Sequence, residues 1–325
     1  MIETVFSTED LPGVDRVDAW REKLSQTHAP VDLVCRPDSD FHAQQRVVQL
    51  GSALVWPAAM SPLTIRRTPR LIRGSDPEMI HLSLITKGTM GFRMGGPDAL
   101  YGPYEIRTND SSRPFEIFVG PQGEVVEAVS VEVPRVRLPL SSDDLDQVIG
   151  HRMAGQEGVG ALLAAFLTTL MVSPRSYTAA DAPRLETILV DLLAAVFAHA
   201  LGAMDRLPAE SRRRTLTLRI RAFIQANLHD PELTPRTIAA AHHISTSYLH
   251  RLFEDEEETV SAWTRTQRLE HARRDLAEPG LRTLPIHAIA ARWGFPRAAD
   301  FTRAFRTAYG LPPRDYRRQA LPFAE

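Results

Sequence analysis

Residues 238–253, IAAAHHISTSYLHRLF, and residues 289–305, IAARWGFPRAADFTRAF, are two copies of one pattern. Ile238-Ala239 and His243-Ile244 recur as Ile289-Ala290 and Gly294-Phe295 at an offset of 51, and Leu249, Arg251 and Leu252-Phe253 recur as Phe301, Arg303 and Ala304-Phe305 at an offset of 52. The second copy therefore carries one extra residue, placed at the turn. In each copy an Ile-Ala helix breaks and a second helix follows. Its apolar residues lie at i, i+3 and i+4: Leu249, Leu252 and Phe253, then Phe301, Ala304 and Phe305. Two short helices joined by a tight turn make a helix-turn-helix, and the tandem repeat makes the reading far more specific than either copy alone.

Packing those apolar side chains inward leaves Ser247, His250 and Arg251 outward in the first unit and Ala299, Asp300 and Arg303 outward in the second. The N-terminal half of the second helix of such a unit is the part that enters the DNA major groove. Arg grips a guanine edge with two donors, while Ser and His exchange hydrogen bonds with base edges or phosphates. The second set holds fewer donors, so beyond Arg303 that unit is expected to position the backbone and sense shape. Between the copies, Thr259 to Glu278 lacks Gly and Pro and stops at Pro279-Gly280, with Leu269, Ala272 and Leu276 on one stripe and Trp263 near the start. This predicts a long helix, a rod that would fix the spacing of two recognition helices; on one face of B-DNA they must sit about 34 Å apart. Arg265, Arg268, Arg273 and Arg274 on the rod are expected phosphate contacts, with solvated surface as the alternative. The acidic run Glu254 to Glu258 should face away from the phosphates. A regulatory bundle of helical hairpins is the competing structural reading.

Charge supports the nucleic-acid reading once it is divided along the chain. From Ser211 to Glu325, 19 arginines and no lysine stand against 13 acidic residues, so the whole-chain charge of −2 splits into +6 there and −8 over the preceding residues. A basic third beside an acidic remainder is the asymmetry of a chain that meets a polyanion with one domain. The whole chain, at 325 residues, is about twice the usual domain of roughly 150. With 43% hydrophobic and 24% charged residues it is ordinary globular material, which excludes a disordered or fibrous class. The apolar runs Ala161 to Val172 and Ile188 to Met204, the latter broken by Asp191 and His199, are too short for a membrane span. The N-terminal MIETVFSTED lacks the basic and apolar segments of a secretory signal, and Cys35 is the only cysteine. A cytoplasmic location, no membrane partner and no intramolecular disulfide are expected.

The first part of the chain reads as strands. Arg46 to Trp56, Leu63 to Arg67, Met79 to Thr86, Gly88 to Met94, Phe115 to Val119 and Val125 to Val131 are short runs rich in Val, Ile, Leu and Phe, punctuated by Gly and Pro. They predict a barrel or sandwich. In one strand Ile80, Leu82 and Leu84 alternate with Met79, His81 and Ser83, the period of a sheet with one packed face and one facing a lumen or solvent. From Ser141 the period changes to that of helices. Leu185, Ile188, Leu189, Leu192, Leu193, Val196, Phe197 and Ala200 form a wide apolar stripe whose partner would be the barrel, a neighbouring helix or a second subunit. The polar, Pro-containing segment RLPAESRRR is the expected linker. The expected domains are thus residues 1–205 (barrel to about 140, helices from 141), a linker at 206–214, and residues 215–325.

Ile289-Ala290-Ala291-Arg292-Trp293-Gly294-Phe295, Phe301-Thr302-Arg303-Ala304-Phe305-Arg306, Tyr309-Gly310, Pro312-Pro313 and Tyr316-Arg317 closely resemble the C-terminal signature of AraC/XylS-type transcriptional regulators. The family usually has a Ser or Asp pair after Gly-Phe; here Pro296-Arg297 stands instead, so the side-chain cap of the last recognition helix is missing. By position, the resemblance assigns base reading to Ser247, His250, Arg251, Ala299, Asp300 and Arg303. Val55 to Pro69 and Ser111 to Phe115 are similar to a subgroup whose N-terminal cupin-like barrel is followed by helices. The resemblance implies an α+β protein, with that barrel and its trailing helices followed by an all-α DNA-binding domain of two helix-turn-helix units. It also implies a homodimer that senses a small-molecule effector, binds double-stranded promoter or operator DNA and, in most members, activates transcription by meeting RNA polymerase.

A cupin-type enzyme, or a ligand-binding scaffold with an appended DNA-binding domain, is the alternative. A metal cupin needs clustered imidazole and carboxylate ligands, yet only His28, His42 and His81 precede Pro114, with no two of them separated by a single residue. Cys35, in LVCRP, lacks the strand-to-helix elbow and evident His partner of a nucleophile. No catalytic residue, metal or cofactor is expected. The effector residues stay unassigned, although His81, Ser83 and Trp56 could share a lumen.

Overall fold

The computed structural model describes residues 3–35, 40–95, 98–172, 176–202, 209–254 and 258–321. The chain divides into two compact units, one ending at Thr215 and the other beginning at Leu216.

The first unit contains twelve strands among its described residues: β1 (Glu3–Ser7), β2 (Asp32–Val34), β3 (Ala43–Leu50), β4 (Ala53–Met60), β5 (Leu63–Arg67), β6 (Met79–Lys87), β7 (Met90–Arg93), β8 (Ala99–Tyr101), β9 (Glu105–Asp110), β10 (Phe115–Val119), β11 (Val126–Pro134) and β12 (Met153–Ala154). Its helices are α1 (Arg16–Thr27), α2 (Pro69–Gly74), α3 (Ser142–Val148), α4 (Gly158–Val172), α5 (Ala182–Ala200) and the start of α6 (Ala209–Ala226). The strands form two antiparallel sheets, ordered β1-β3-β4-β11-β6-β9-β12 and β2-β5-β10-β7-β8. Trp56, Ala58 and Met60 of the first sheet share an apolar core with Ile117, Phe92 and Met90 of the second. The expected barrel is therefore an opposed pair of sheets that does not close: no ladder between described residues joins the end strands of one sheet to those of the other.

Two strand boundaries depart from expectation. Arg46 to Trp56 is not one strand but the hairpin of β3 and β4, with the turn at Gly51 and Ser52. Gly51 has φ +60°, and a Cβ there would lie 2.1 Å from Oε2 of Glu186 on α5, so only glycine suits the turn. Ser52 N–H donates to the same Glu186 carboxylate at 3.1 Å, which docks the hairpin on α5. The strand β9, EIRTND, is too polar to register as a strand, yet Ile106 to Asp110 are all buried in it. Tertiary packing overrode its weak local propensity.

The apolar stripe of α5 finds its partner within its own chain. Leu189, Leu192, Leu193, Val196 and Phe197 are buried, and α5 packs on α4, β3 and α3. Buried Asp191 of α5 accepts from Arg214 Nη2 at 3.1 Å. Residues 206–208 of the expected linker lie outside the described residues, while Ala209 to Arg214 belong to helix α6. Beyond Pro208 nothing in AESRRR breaks a helix.

The second unit continues α6 and adds α7 (Pro235–Ala241), α8 (Thr246–Glu254), α9 (Val260–Ala277), α10 (Ile286–Arg292), α11 (Ala298–Tyr309) and α12 (Pro313–Ala320). It has two apolar clusters. Ile220, Ile224, Ile238, Leu249, Leu252 and Phe253 close the first over Val260, near the start of α9. Ile289, Ala290, Phe301 and Phe305 close the second over Leu269, Ala272 and Leu276, further along it. The 18-residue α9 is thus a rod, about 27 Å long at 1.5 Å per residue, with one helix-turn-helix packed at each end. Thr259 caps it, accepting from Ala262 N–H at 3.2 Å. Of the acidic run 254–258, residues 255–257 lie outside the described residues; Glu258 accepts from the Thr266 hydroxyl at 2.8 Å.

Candidate nucleic-acid interface and enclosed cavity

The two turns are the same object in detail. In the first, His243 N–H donates to Ala240 O at 3.1 Å and Ile244 N–H to Ala239 O at 3.0 Å; in the second, Gly294 N–H donates to Ala291 O at 3.1 Å and Phe295 N–H to Ala290 O at 2.9 Å. Both central residues are left-handed, His243 at φ +53° and Gly294 at φ +72°. The extra residue then shows in the cap. Ser245 accepts from Tyr248 N–H at 3.1 Å in the first copy, whereas Arg297, one position further on, stands before α11 with no side-chain cap. His243 carries steric cost at a conformation that glycine adopts freely. We expect His243→Gly to raise the stability of the second unit by about 0.5–1 kcal/mol, scored by urea denaturation; an unchanged or lower midpoint would show that the His243 side chain stabilises the turn.

Ser247, His250 and Arg251 on α8 and Ala299, Asp300 and Arg303 on α11 are all exposed. Arg251 lies over the Tyr248 ring at 5.1 Å, and Arg303 pairs with Asp300 at 3.3 Å across one helical turn. The arginines of the rod divide into different roles. Arg268 is a structural clamp: its Nε donates to Leu228 O at 2.9 Å, its Nη1 to Gly294 O at 3.3 Å, and its Nη2 to Asp230 O. It ties the chain ahead of the first helix-turn-helix to the turn of the second, and its guanidinium fills the space where a Cβ at Gly294 would stand. Beside the expected phosphate contact this residue therefore has a structural role, with three of its five N–H donors on backbone carbonyls. Arg273 and Arg274 both reach Glu270, at 2.7 and 3.3 Å, while Arg265 is exposed.

In the first unit the inner face of the larger sheet carries two polar rungs. Strand register aligns Trp56, Ser130, Ser83 and Arg107 across β4, β11, β6 and β9, and aligns Glu132, His81 and Asn109 on the next rung. All seven line a cavity of about 90 Å³. The smaller sheet and α1 close it with Ile65, Met90, Phe115, Ile117, Trp20 and Leu24. The alternation that set His81 and Ser83 against Ile80, Leu82 and Leu84 is thus a lumen face against a packed face.

The rungs are wired together. Glu132 Oε2 meets His28 Nδ1 at 3.0 Å and its Oε1 meets His81 Nδ1 at 3.4 Å; His81 Nε2 meets Ser83 Oγ at 2.8 Å, and Ser83 Oγ accepts from Arg107 Nη2 at 3.2 Å. Burial pushes the Glu132 carboxyl up, but the charge and hydrogen bonds of His28 and the hydrogen bond from His81 outweigh it and hold it down at about 2. Burial pushes His81 below its ordinary value, so its ring is neutral, with Nδ1–H donating to Glu132 and Nε2 accepting from Ser83. Arg107 is desolvated, and its pKa falls to about 10. Folding thus brings His28 and His81 onto one carboxylate, which sequence spacing does not reveal; even so, no group of three or more His, Cys, Asp and Glu among the described residues is placed to hold a metal ion. Burial pushes the Cys35 thiol up, away from the thiolate a nucleophile needs.

Arg107, Asn109, Ser130, Glu132 and His28 were missed in the sequence. The available signal was Ser130 and Glu132 alternating with valines in β11; β9, polar at every position but Ile106, carried no such pattern.

Two matching helix-turn-helix units on one rod, carried behind a β-rich domain with a lined cavity, define a DNA-binding transcriptional regulator with a ligand-binding domain. The AraC-binding-like domain family matches residues 20–198, and the helix-turn-helix domain family matches residues 238–319. The chain is 28% identical over 309 residues to the transcriptional activator NphR of a Rhodococcus species, covering 92% of this chain and 88% of that one. It is 25% identical over 244 residues to the XylDLEGF operon transcriptional activator of Pseudomonas putida, 74% of each chain. The crystal structure of the AraC-like transcriptional activator CuxR shares the fold, with a TM-score of 0.53 at 21% identity over 83% of this chain and 95% of that one. The chain belongs to the AraC/XylS family of transcriptional regulators. No helix among the described residues is long and apolar enough to cross a membrane.

Proposed function

We propose that the protein activates transcription, inserting α8 and α11 into successive major grooves on one side of promoter DNA and responding to a small-molecule effector held between the sheets of the first unit. The observation that carries this is the pair of turns closed by equivalent hydrogen bonds, one before α9 in the chain and one after it, each followed by a helix whose proposed base-reading residues are exposed. In this reading Arg251 and Arg303 read guanine edges, while Ser247, His250, Ala299 and Asp300 complete the two faces. Activation is supported by the similarity to NphR and the XylDLEGF operon activator, both named as activators. Contact with RNA polymerase follows from that role. In this reading residues 1–205 are the regulatory domain and 215–325 the DNA-binding domain; the division of contacts near Thr215 supports the second boundary, while Ala209 to Arg214 of the expected linker at 206–214 are helical.

The protein acts in the cytoplasm as a homodimer and without catalysis of its own; the protonated Cys35 thiol favours this over a cysteine-nucleophile enzyme. Its subunit contact uses a surface other than the α5 stripe, whose interior is already buried. Light scattering of the full chain reads the oligomeric state.

Arg251→Ala or Arg303→Ala should each weaken specific operator binding by about 1–3 kcal/mol, or roughly 5- to 150-fold, and relax preference at the base pair it reads. The operator is found by chromatin immunoprecipitation, and gel-shift titration then measures affinity. Affinity should fall steeply as salt rises. Unchanged affinity in both variants, or a flat salt response, would overturn the interface.

A further inference from the structure

We infer that Arg297 is a further DNA contact of the second helix-turn-helix, its guanidinium taking a pair of acceptors on the duplex beside the start of α11. This rests on the DNA-binding reading and adds a residue to that interface.

The two copies open their second helices with the same backbone bond and different side chains. Leu249 N–H donates to Ser245 O at 3.0 Å, and Phe301 N–H donates to Arg297 O at 3.2 Å, so Ser245 and Arg297 hold one position of the repeat at the offset of 52. In the first copy the Ser245 hydroxyl also accepts from Tyr248 N–H at 3.1 Å. In the second the matching amide, Asp300 N–H, turns to the Arg297 carbonyl at 3.1 Å. A guanidinium accepts nothing, so no side chain caps α11. Its positive charge also stands at the helix end where the aligned peptide dipoles disfavour a cation. The position thus breaks two local rules of helix stability at once, and such breaks concentrate at functional sites.

The surroundings make DNA the compensation. Arg297 is exposed, and no carboxylate among the described residues pairs with it; Asp300, the acid of the next turn, is paired with Arg303 at 3.3 Å. Over residues 298–305 the charges of Asp300 and Arg303 cancel, and Ala298 and Ala299 are exposed with no side-chain donor. The equivalent stretch of the first copy, 246–253, keeps the charge of Arg251 and the donors of Ser247 and His250. Arg297 therefore supplies the second unit with the net positive charge that its helix face lacks. Its backbone anchor is firm, because Pro296 fixes φ immediately before it and the Phe295 ring packs on Phe301 with centroids 5.2 Å apart. A guanine edge and a phosphate each present two acceptors to the planar fork.

The test reads operator affinity of the full chain by gel shift together with the melting temperature of the second unit by calorimetry. Arg297→Ser should raise that melting temperature by about 5 °C, because it restores the cap, while weakening operator binding by about fivefold or more. Arg297→Ala, which offers no cap, should weaken binding to the same extent without the gain in melting temperature. Arg297→Lys separates the two acceptors. Binding retained in the Lys variant, with a salt slope shallower by about one in the Ser variant, assigns a phosphate; binding lost in both, with preference relaxed at one base pair, assigns a guanine edge. A lower melting temperature in Arg297→Ser would show an arginine that serves the fold and would overturn the inference. Affinity unchanged in Arg297→Ser but weakened in Arg251→Ala would also overturn it and leave the interface standing, whereas affinity unchanged in Arg297→Ser, Arg251→Ala and Arg303→Ala alike would overturn both.

Discussion

Phe305→Ala should unfold the second helix-turn-helix before anything else in the protein. Phe305 is fully buried, with the rings of Phe301, Tyr309 and Tyr316 centred 5.5, 4.6 and 5.6 Å from its own. Truncation removes the shared wall of that aromatic group and leaves a cavity that two helices and a rod cannot close, at a cost of about 3–5 kcal/mol. Because the chain has two compact units, calorimetry should show the transition of the second unit lowered while that of the first stays in place. Operator binding should fall with it, since α11 loses its seat. A melting profile indistinguishable from that of the parent would mean that α11 does not depend on this cluster.

Glu132→Gln should remove an acid-sensitive component of stability from the first unit. The carboxyl sits at about 2, below its ordinary value of 4.5, because His28 and His81 favour its charged form more than burial disfavours it. A depressed carboxyl contributes stability that is present in full above the unfolded value and is lost as pH falls toward the folded one. The window is therefore pH 4.5 down to about 2, and the shift corresponds to on the order of 3 kcal/mol. The parent should lose stability steeply across that window, whereas the variant should begin less stable at neutral pH and show a flatter acid limb. Parallel acid limbs in chemical denaturation at stepped pH would show that the pair of imidazoles does not stabilise the charge.

Legibility differed sharply between the two units. In the second, interactions are local. The turn, the i, i+3 and i+4 packing of Leu249, Leu252 and Phe253, and the outward placement of His250 and Arg251 all follow from residues a few positions apart, so a single helix period reveals them. The exception was Arg268, whose clamp reaches Leu228 and Gly294, 40 and 26 positions away, and no local pattern marks it. In the first unit the site is assembled across strands. His28 meets Glu132 from 104 positions away, and Arg107 lies beside Ser83 by register alone. The polar alternation in β11 was visible, but which alternate face was the lumen depended on how the two sheets opposed each other.

The amino-acid order by itself determined the tandem helix-turn-helix units, the inserted turn residue, the rod between them and the basic third, because helix period, turn chemistry and net charge are properties of short stretches. Only the tertiary structure decided that the sheets stay open, that α5 is buried in its own chain, that Arg268 is a clamp, and that Arg107 is buried with no carboxylate among the described residues paired to it. Those depend on strand register and on which side chains long loops bring together, and on whether a buried charge finds a partner once they meet, which residues far apart in the chain settle jointly.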